Sequence, residues 1–381
     1  MRDLLAERLL AMVMGWTQED VARERPDLQA MAAYKYDEYQ QFSPGMRFVE
    51  SLALWLSQFK TPHERIVAYE FVKKRLIFCS TAELNHLVRI AYPDHIRPLL
   101  LRKVATEAGY NARHVAKVAE SVKFKIRQRQ CLFLGLSDGA HIDVFRRSNS
   151  PELSHEQMLQ TYEISSERVE SLLKKLADDM ANIPGGATPD HMPKFRTVVL
   201  LDDLSASGKS YVDREQDGTF GGKIGRFYRN VTDPRNEVSR LVDLRHTEIF
   251  VVLCLATAQA RDRLENFLKE MWEPLGTESA VIVVHPLQEE NCLKPGGSSA
   301  FETLLHDYYD PTIEDEHTKK GGTDFKYGFA ACGLPLVLSH NTPNNSLYLL
   351  WAESKKVRAL FPRVSRHIGS VGIGEKYEGT A

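Results

Sequence analysis

The chain has 381 residues, with 49 lysines and arginines against 51 aspartates and glutamates, and a formal net charge of −2. A chain so balanced sets up no global field for nucleic acid or anionic membrane, and its length allows two domains with a sizeable core. The five cysteines (Cys79, Cys131, Cys254, Cys292, Cys332) are odd in number and form no C-x-x-C, which fits reduced thiols and predicts a cytoplasmic protein.

Residues 1–121 read as helical. Arg2, Asp3, Glu7 and Arg8 stand among the leucines of residues 1–13, the mark of an amphipathic helix rather than a secretory leader. No apolar run approaches the roughly 20 residues of a membrane span. Thr61-Pro62-His63-Glu64 is a capping box with proline at the first helical position, opening a helix to about Phe78. Ser80 and Glu83 open the next, with Leu84, Leu87, Val88 and Ala91 on one face and Pro93 at its end. Another helix is expected over 111–122. No chemistry is legible in this half, which reads as an interaction domain; a DNA-binding helix-turn-helix would need a signature that is absent.

Lys123, Lys125, Arg127 and Arg129 alternate with Phe124, Ile126 and Gln128, which predicts a strand with four cations on one face. Such a strand is either a track for phosphates or a charged edge that resists aggregation. An α/β pattern follows. Strands are expected at 131–134, 198–201, 249–255 and 280–284. Ser154 with Gln157 boxes one helix. Another runs over 165–180 with Val169, Leu172, Leu173 and Leu176 inward, and Thr257 caps one over 258–271. Alternation of this kind predicts a doubly wound parallel sheet, with ligands beyond the carboxyl ends of its strands. Asp217-Gly218 and Gly221-Gly222 interrupt the helix expected after Ser210, so 217–246 reads as an insertion. Further on, a helix is expected over 298–308 and a short strand over 335–338.

The most informative stretch is 198–210, V-V-L-L-D-D-L-S-A-S-G-K-S. A buried apolar strand ends in Asp202 and Asp203, then in a turn of small residues, Ser205-Ala206-Ser207-Gly208-Lys209-Ser210. Small residues let backbone N–H groups and hydroxyls wrap a phosphate. Carboxylates just before such a turn suit ribose hydroxyls, a divalent cation, or both. A P-loop would need its first glycine at position 203, where Asp203 stands instead. The plainest alternative is a buried strand followed by a helix-capping turn. Near the end, His340-Asn341-Thr342-Pro343-Asn344-Asn345, Trp351 and Arg363 either read a base or second substrate, or are turn chemistry beside a core tryptophan.

The 198–210 stretch resembles the phosphoribosyl-pyrophosphate (PRPP) motif of type I phosphoribosyltransferases. Residues from about 50 to 368 resemble a divergent branch of phosphoribosyltransferase-like proteins linked to bacterial conflict, or anti-phage, systems, on this motif together with LSDGAHIDVFRRSN at 136–149 and SHNTPNNSLYLLW with LFPR near the end. The resemblance implies a PRTase-like α/β core over 122–368, an N-terminal all-helical domain over 1–121 that holds a defence-system protein, a nucleoprotein or a second copy, and a tail over 369–381. It implies that Asp202 and Asp203 meet the ribose diol, that Asp203 also touches Mg2+, and that Ser205, Ala206, Ser207, Gly208, Lys209 and Ser210 hold the 5′-phosphate. The pyrophosphate loop would lie at Ser137, Asp138 and Gly139. Asp138 stands there where the family often carries Lys or Arg, leaving Arg146 or Arg147 to supply the charge. Ala206 replaces the aspartate that 6-oxopurine enzymes use as general base, which argues against that salvage role. The implied activity is pentosyl transfer from PRPP with Mg2+; the alternatives are a non-catalytic PRPP or nucleotide sensor and a P-loop-like NTPase.

Overall fold

Five parallel strands organise the larger of two compact units in the computed structural model, which describes residues 2–363 except 162, 186–192 and 323, and the side chains of all of these but 2, 3 and 317. The strands are β1 (Cys131–Gly135), β2 (Met158–Leu159), β3 (Thr197–Ser205), β4 (Glu248–Thr257) and β5 (Glu278–Leu287). Their spatial order is 2-1-3-4-5, all parallel. In this order the chain reverses direction across the sheet between β1 and β3, and ligands of such sheets sit beyond the carboxyl ends at that point. Both β3 and β4 are apolar and buried along most of their length, as expected for central strands covered on both faces. The core combines Val198 and Leu200 of β3 and Ile249, Val251 and Leu253 of β4 with the inward stripe Val169, Leu172, Leu173 and Leu176 of the helix Ser166–Ala181. Thr257 caps the helix Ala258–Trp272 by accepting from the Ala260 N–H.

This unit spans 82–292, and the other joins 1–81 to the chain from 293 onward. The boundary expected at 121/122 therefore falls inside the sheet-bearing unit. In the first unit the Thr61–Glu64 capping box opens the helix Pro62–Lys74 as expected, but the helix stops there. Ile77–Cys79 is a strand instead, paired in parallel with Leu336–Leu338 in a separate two-stranded sheet. Its core is aromatic: Phe361 lies within 6 Å of the rings of Tyr36, Tyr39, Phe42, Phe48 and Phe78. The tail over 369–381, and 364–368 before it, lie outside the described residues.

Several expectations fail for identifiable reasons. Residues 122–129 form a helix, Val122–Arg129, not a strand. Ser121 caps it by accepting from the Phe124 N–H, and Phe124 and Arg127, three apart, are both buried. Arg127 pairs with Glu107 and Glu248, and Arg129 with Asp179, at 2.6 to 3.4 Å. Only Lys123 and Lys125 of the four cations are exposed, so no four-cation face exists. Tertiary carboxylates override the period-two pattern. Pro93 does not end its helix: a wide π-turn over Ala91–Ile96 absorbs it and leads directly into the helix Arg97–Ala108. The helix expected over 111–122 shrinks to Val115–Glu120. The Ser154–Gln157 box is present but caps a single 3-10 turn, followed by β2, which is too short to read from periodicity. Between β3 and β4 the interrupted stretch forms a small hairpin, Asp213–Arg214 with Phe220–Gly221, and then the helix Gly222–Thr232. Among the described residues no helix is long and apolar enough to cross a membrane.

Candidate functional site

β1 and β3 run side by side from Cys131 opposite Thr197 to Gly135 opposite Leu201, and the Leu136 N–H extends the ladder to Leu201 O at 2.9 Å. Register alone therefore sets Ser137–Gly139 beside Asp202 and Asp203. The loop after β1 turns within a few residues, and His141 closes it at φ 47°, a left-handed conformation that costs a non-glycine residue energy. Its Ser137 hydroxyl donates to Asp202 Oδ1 at 2.5 Å. On the other side of the same loop, a Cβ placed on Gly139 would come 2.6 Å from Asp203 Oδ2. A side chain at position 139 would have to displace the Asp203 carboxylate.

Successive residues of a strand point to opposite faces, and the two acids accordingly differ in environment. Asp202 is 1% exposed. Its Oδ1 accepts from Ser137 and from the Asp203 N–H at 3.2 Å; its Oδ2 accepts from Lys223 Nζ at 2.5 Å and the Tyr211 hydroxyl at 2.8 Å. All four lone-pair directions of this carboxylate are thereby occupied. Burial, followed by the neighbouring Asp203, raises its pKa above the ordinary carboxylate range, against the opposing pull of Lys223 and Ser137. Tyr211 is pushed well up as well, first by burial and then by the two aspartates. Asp203 is half-buried, and its Oδ1 accepts from the Leu204 N–H at 2.7 Å.

The turn after β3 lies against the first turn of the helix Ala258–Trp272. Ala206 O accepts from the Thr257 hydroxyl at 2.5 Å. Gly208 adopts φ +73°, and a Cβ there would meet Arg263 Cδ at 3.0 Å and Ala260 O at 3.3 Å. The left-handed backbone favours glycine, and a Cβ would crowd both neighbours. Tyr211 and Val212 N–H groups close the turn on Gly208 O. Ala206, Ser207 and Gly208 are buried, Lys209 is half-buried and Ser210 is exposed. A compact small-residue turn beside one exposed-side carboxylate, with a second loop packed on that carboxylate, is a geometry that can receive a phosphate and a neighbouring diol.

Of the sequence-predicted residues, Ser137, Gly139, Asp202, Asp203 and the 205–210 turn are thus assembled at one end of the sheet. Asp138 is exposed. Arg147 pairs with Asp143 at 3.6 Å, and Arg146 is half-buried on the same helix, Ile142–Ser148. Sequence reasoning found Thr257 only as a helix cap and missed Tyr211, Arg263 and above all Lys223, because nothing local in 217–246 signals a return to β3.

His340, Asn341, Thr342, Asn344, Asn345, Trp351 and Arg363 belong to the first unit, where their polar groups hold a turn. Asn341 and Leu338 exchange backbone bonds, Gln41 donates to His340 O, and the buried Thr342 hydroxyl lies 2.9 Å from Tyr39 OH. Asn344 O accepts from the Phe329 N–H, and the Asn345 amide donates to Phe329 O. Trp351 Nε1 donates to Ser346 O at 2.9 Å, with the Arg363 guanidinium 5.4 Å from its ring centre.

No curated protein and no solved structure matches the chain. A family model described as PRTase-CE matches residues 52–363, taking in the helices of 52–121 together with the whole sheet. On that match, which covers well over half of the sequence, the protein belongs to the PRTase-CE family and is phosphoribosyltransferase-like.

Proposed function

We propose that the protein binds PRPP, or a related phosphoribosyl or nucleotide ligand, at the carboxyl ends of β1 and β3, and acts at ribose C1. The observation that carries this reading is the Ser205–Ser210 turn, where Gly208 takes a left-handed backbone packed closely against Arg263 and Ala260. Backbone N–H groups and the hydroxyls of Ser207 and Ser210 hold the 5′-phosphate, with Lys209 as its cation. Asp203 takes the ribose diol. Among the described residues no three His, Cys, Asp or Glu side chains gather to hold an ion alone. That donor set fits Mg2+ arriving on the ligand's own phosphates and completed by Asp203. Bound there, the ion supplies charge neutralisation of the diphosphate.

In the transfer reaction the bond from C1 to the diphosphate oxygen breaks, its electron pair leaves with pyrophosphate, and an acceptor nucleophile or water forms the new bond to C1. Ser137 and the loop N–H groups after β1 face the departing group. One observation favours a second reading, a sensor that binds without turnover. With Asp202 fully engaged by Ser137, Lys223 and Tyr211, a single carboxylate serves the ribose. In either case we place the protein in a bacterial defence system, with its partner held by N-terminal helices.

The test is calorimetry with PRPP and Mg2+, followed by an assay for released pyrophosphate. Binding with release supports the transferase, and binding without release supports the sensor. Absence of binding by the folded protein overturns both.

A further inference from the structure

The crossover between β3 and β4 returns one side chain to the base of the candidate site. Lys223, the second residue of the helix Gly222–Thr232, is 30% exposed and sets its Nζ 2.5 Å from the enclosed Oδ2 of Asp202. The ammonium also lies 4.8 Å from the ring centre of Tyr211. The main chain follows the same path. Lys223 N–H donates to Ser210 O at 3.1 Å, and Ile224 N–H to Tyr211 O at 2.8 Å. Gly222 stands at φ +76°, where a Cβ would be 2.6 Å from Tyr211 O, so helix start and turn exit meet backbone to backbone.

Through Asp202 the contact branches. Oδ1 reaches Ser137 in the loop after β1, and Oδ2 reaches the Tyr211 hydroxyl, which also lies 2.7 Å from Leu204 O. A single carboxylate therefore ties together the loop after β1, the end of β3 and the exit of the 205–210 turn. Ser137 and Tyr211 offer only neutral donors. Among the described residues Lys223 is the cation bonded to it, and a buried carboxylate beside a second aspartate is costly without such a partner.

We infer that Lys223 is a positioning residue for the phosphoribosyl site, acting through Asp202 to hold the two ligand-facing loops at fixed separation. It does so from a segment that lies outside the PRPP-like motif. Only the ligand arm of the test below rests on the phosphoribosyl reading.

The full-length protein, Lys223→Met, Lys223→Arg and the double variant Lys223→Met/Asp202→Asn are compared in two measurements. Amide hydrogen exchange is expected to speed up about tenfold over 136–141 and 205–212 in Lys223→Met, with the helix Ala258–Trp272 unchanged, and to slow again in Lys223→Arg. PRPP affinity with Mg2+ is expected to fall about tenfold in Lys223→Met and to recover to within about threefold of wild type in the double variant, where the neutral amide that replaces the Asp202 carboxylate needs no cation. Unchanged exchange in both loops overturns the inference. A double variant as weak as Lys223→Met also overturns it, since Lys223 would then be touching the ligand rather than acting through Asp202. If wild type binds no PRPP while the loops loosen as expected, the phosphoribosyl reading fails and the positioning role stands.

Discussion

A Cβ on Gly139 would sit 2.6 Å from Oδ2 of Asp203, so the loop after β1 and the outward carboxylate of β3 are packed with no side chain between them. Contact at that distance is well inside van der Waals separation, and the short aspartate side chain has little length with which to retreat. Gly139→Ala is expected to turn the Asp203 carboxylate away while leaving the sheet intact. Affinity for PRPP with Mg2+ should fall about tenfold, with a stability change below about 1 kcal/mol because the group displaced is at the surface of the core. Calorimetry and thermal unfolding on the same preparation check it. Unchanged affinity would show that Asp203 does not face the ligand.

The two adjacent aspartates should separate cleanly by mutation. Asp202→Ala removes an acceptor shared by Ser137, Lys223 and Tyr211 and leaves a half-buried ammonium and two hydroxyls without it. That should cost about 2–4 kcal/mol of stability. Asp203→Asn keeps the shape and can still accept from the Leu204 N–H, so its stability should stay within about 0.5 kcal/mol of wild type while ligand binding is lost. Chemical denaturation of both variants decides the matter. Equal losses of stability would mean the two acids are not divided between framework and ligand.

The helix Val122–Arg129 yields a contrast within one segment. Arg127 is buried between Glu107 and Glu248, whereas Lys123 and Lys125 are exposed. Replacing Arg127 by Met strips a buried carboxylate of one of its cations; Lys103, 2.8 Å from Glu248, still compensates in part. The expected loss is about 2–3 kcal/mol, against less than about 0.5 kcal/mol for Lys123→Ala/Lys125→Ala. Urea unfolding of the two variants measures both. A silent Arg127→Met would show that the pair contributes nothing net.

What could be read from the sequence, and what could not, follows from the range of the forces involved. Strand β3, its two aspartates and the Gly208 turn were legible because β-branched burial, charge and glycine conformation act over a dozen consecutive residues. The capping box at Thr61 and the N-cap at Thr257 were legible for the same reason. Residues 122–129 were not. Their alternation is a real period-two signal, but it is outweighed by Glu107, Glu248 and Asp179, which no local pattern brings to the same place. Pro93 misled because the rule for proline assumes α-helical spacing, and a π-turn relaxes it. Lys223 was invisible for a third reason: its partner is twenty-one residues earlier, across a hairpin whose glycines signal only interruption. The contact is created by topology, and only topology reveals it.

The helix Gln18–Tyr34 of the first unit carries a contact that makes stability depend on pH. Glu24 there accepts from Lys73 Nζ and from the Tyr69 hydroxyl, both at 2.8 Å, and from Arg23 at 3.2 Å. The bond from Lys73 is the largest of the influences that hold its carboxyl below the ordinary glutamate value, with burial opposing it. A carboxyl depressed by folding binds fewer protons in the native state than in the unfolded chain, so stability rises with pH across the interval between the two values. The contribution of Glu24 is therefore complete above the ordinary glutamate pKa of about 4.3 and disappears as pH falls through the lower native value. Glu24→Gln keeps the shape and removes the charge. It should lower stability at pH 7 by about 1 kcal/mol, as expected for a mostly enclosed pair whose lysine keeps a second partner in Asp27. At pH 3, below the ordinary glutamate value, the same substitution should cost less, because the carboxyl of the unfolded chain is by then largely protonated and the wild-type contribution is falling with pH. Calorimetric melts of both proteins at the two pH values test this: a difference that stays constant would mean that Glu24 acts by packing and not by charge.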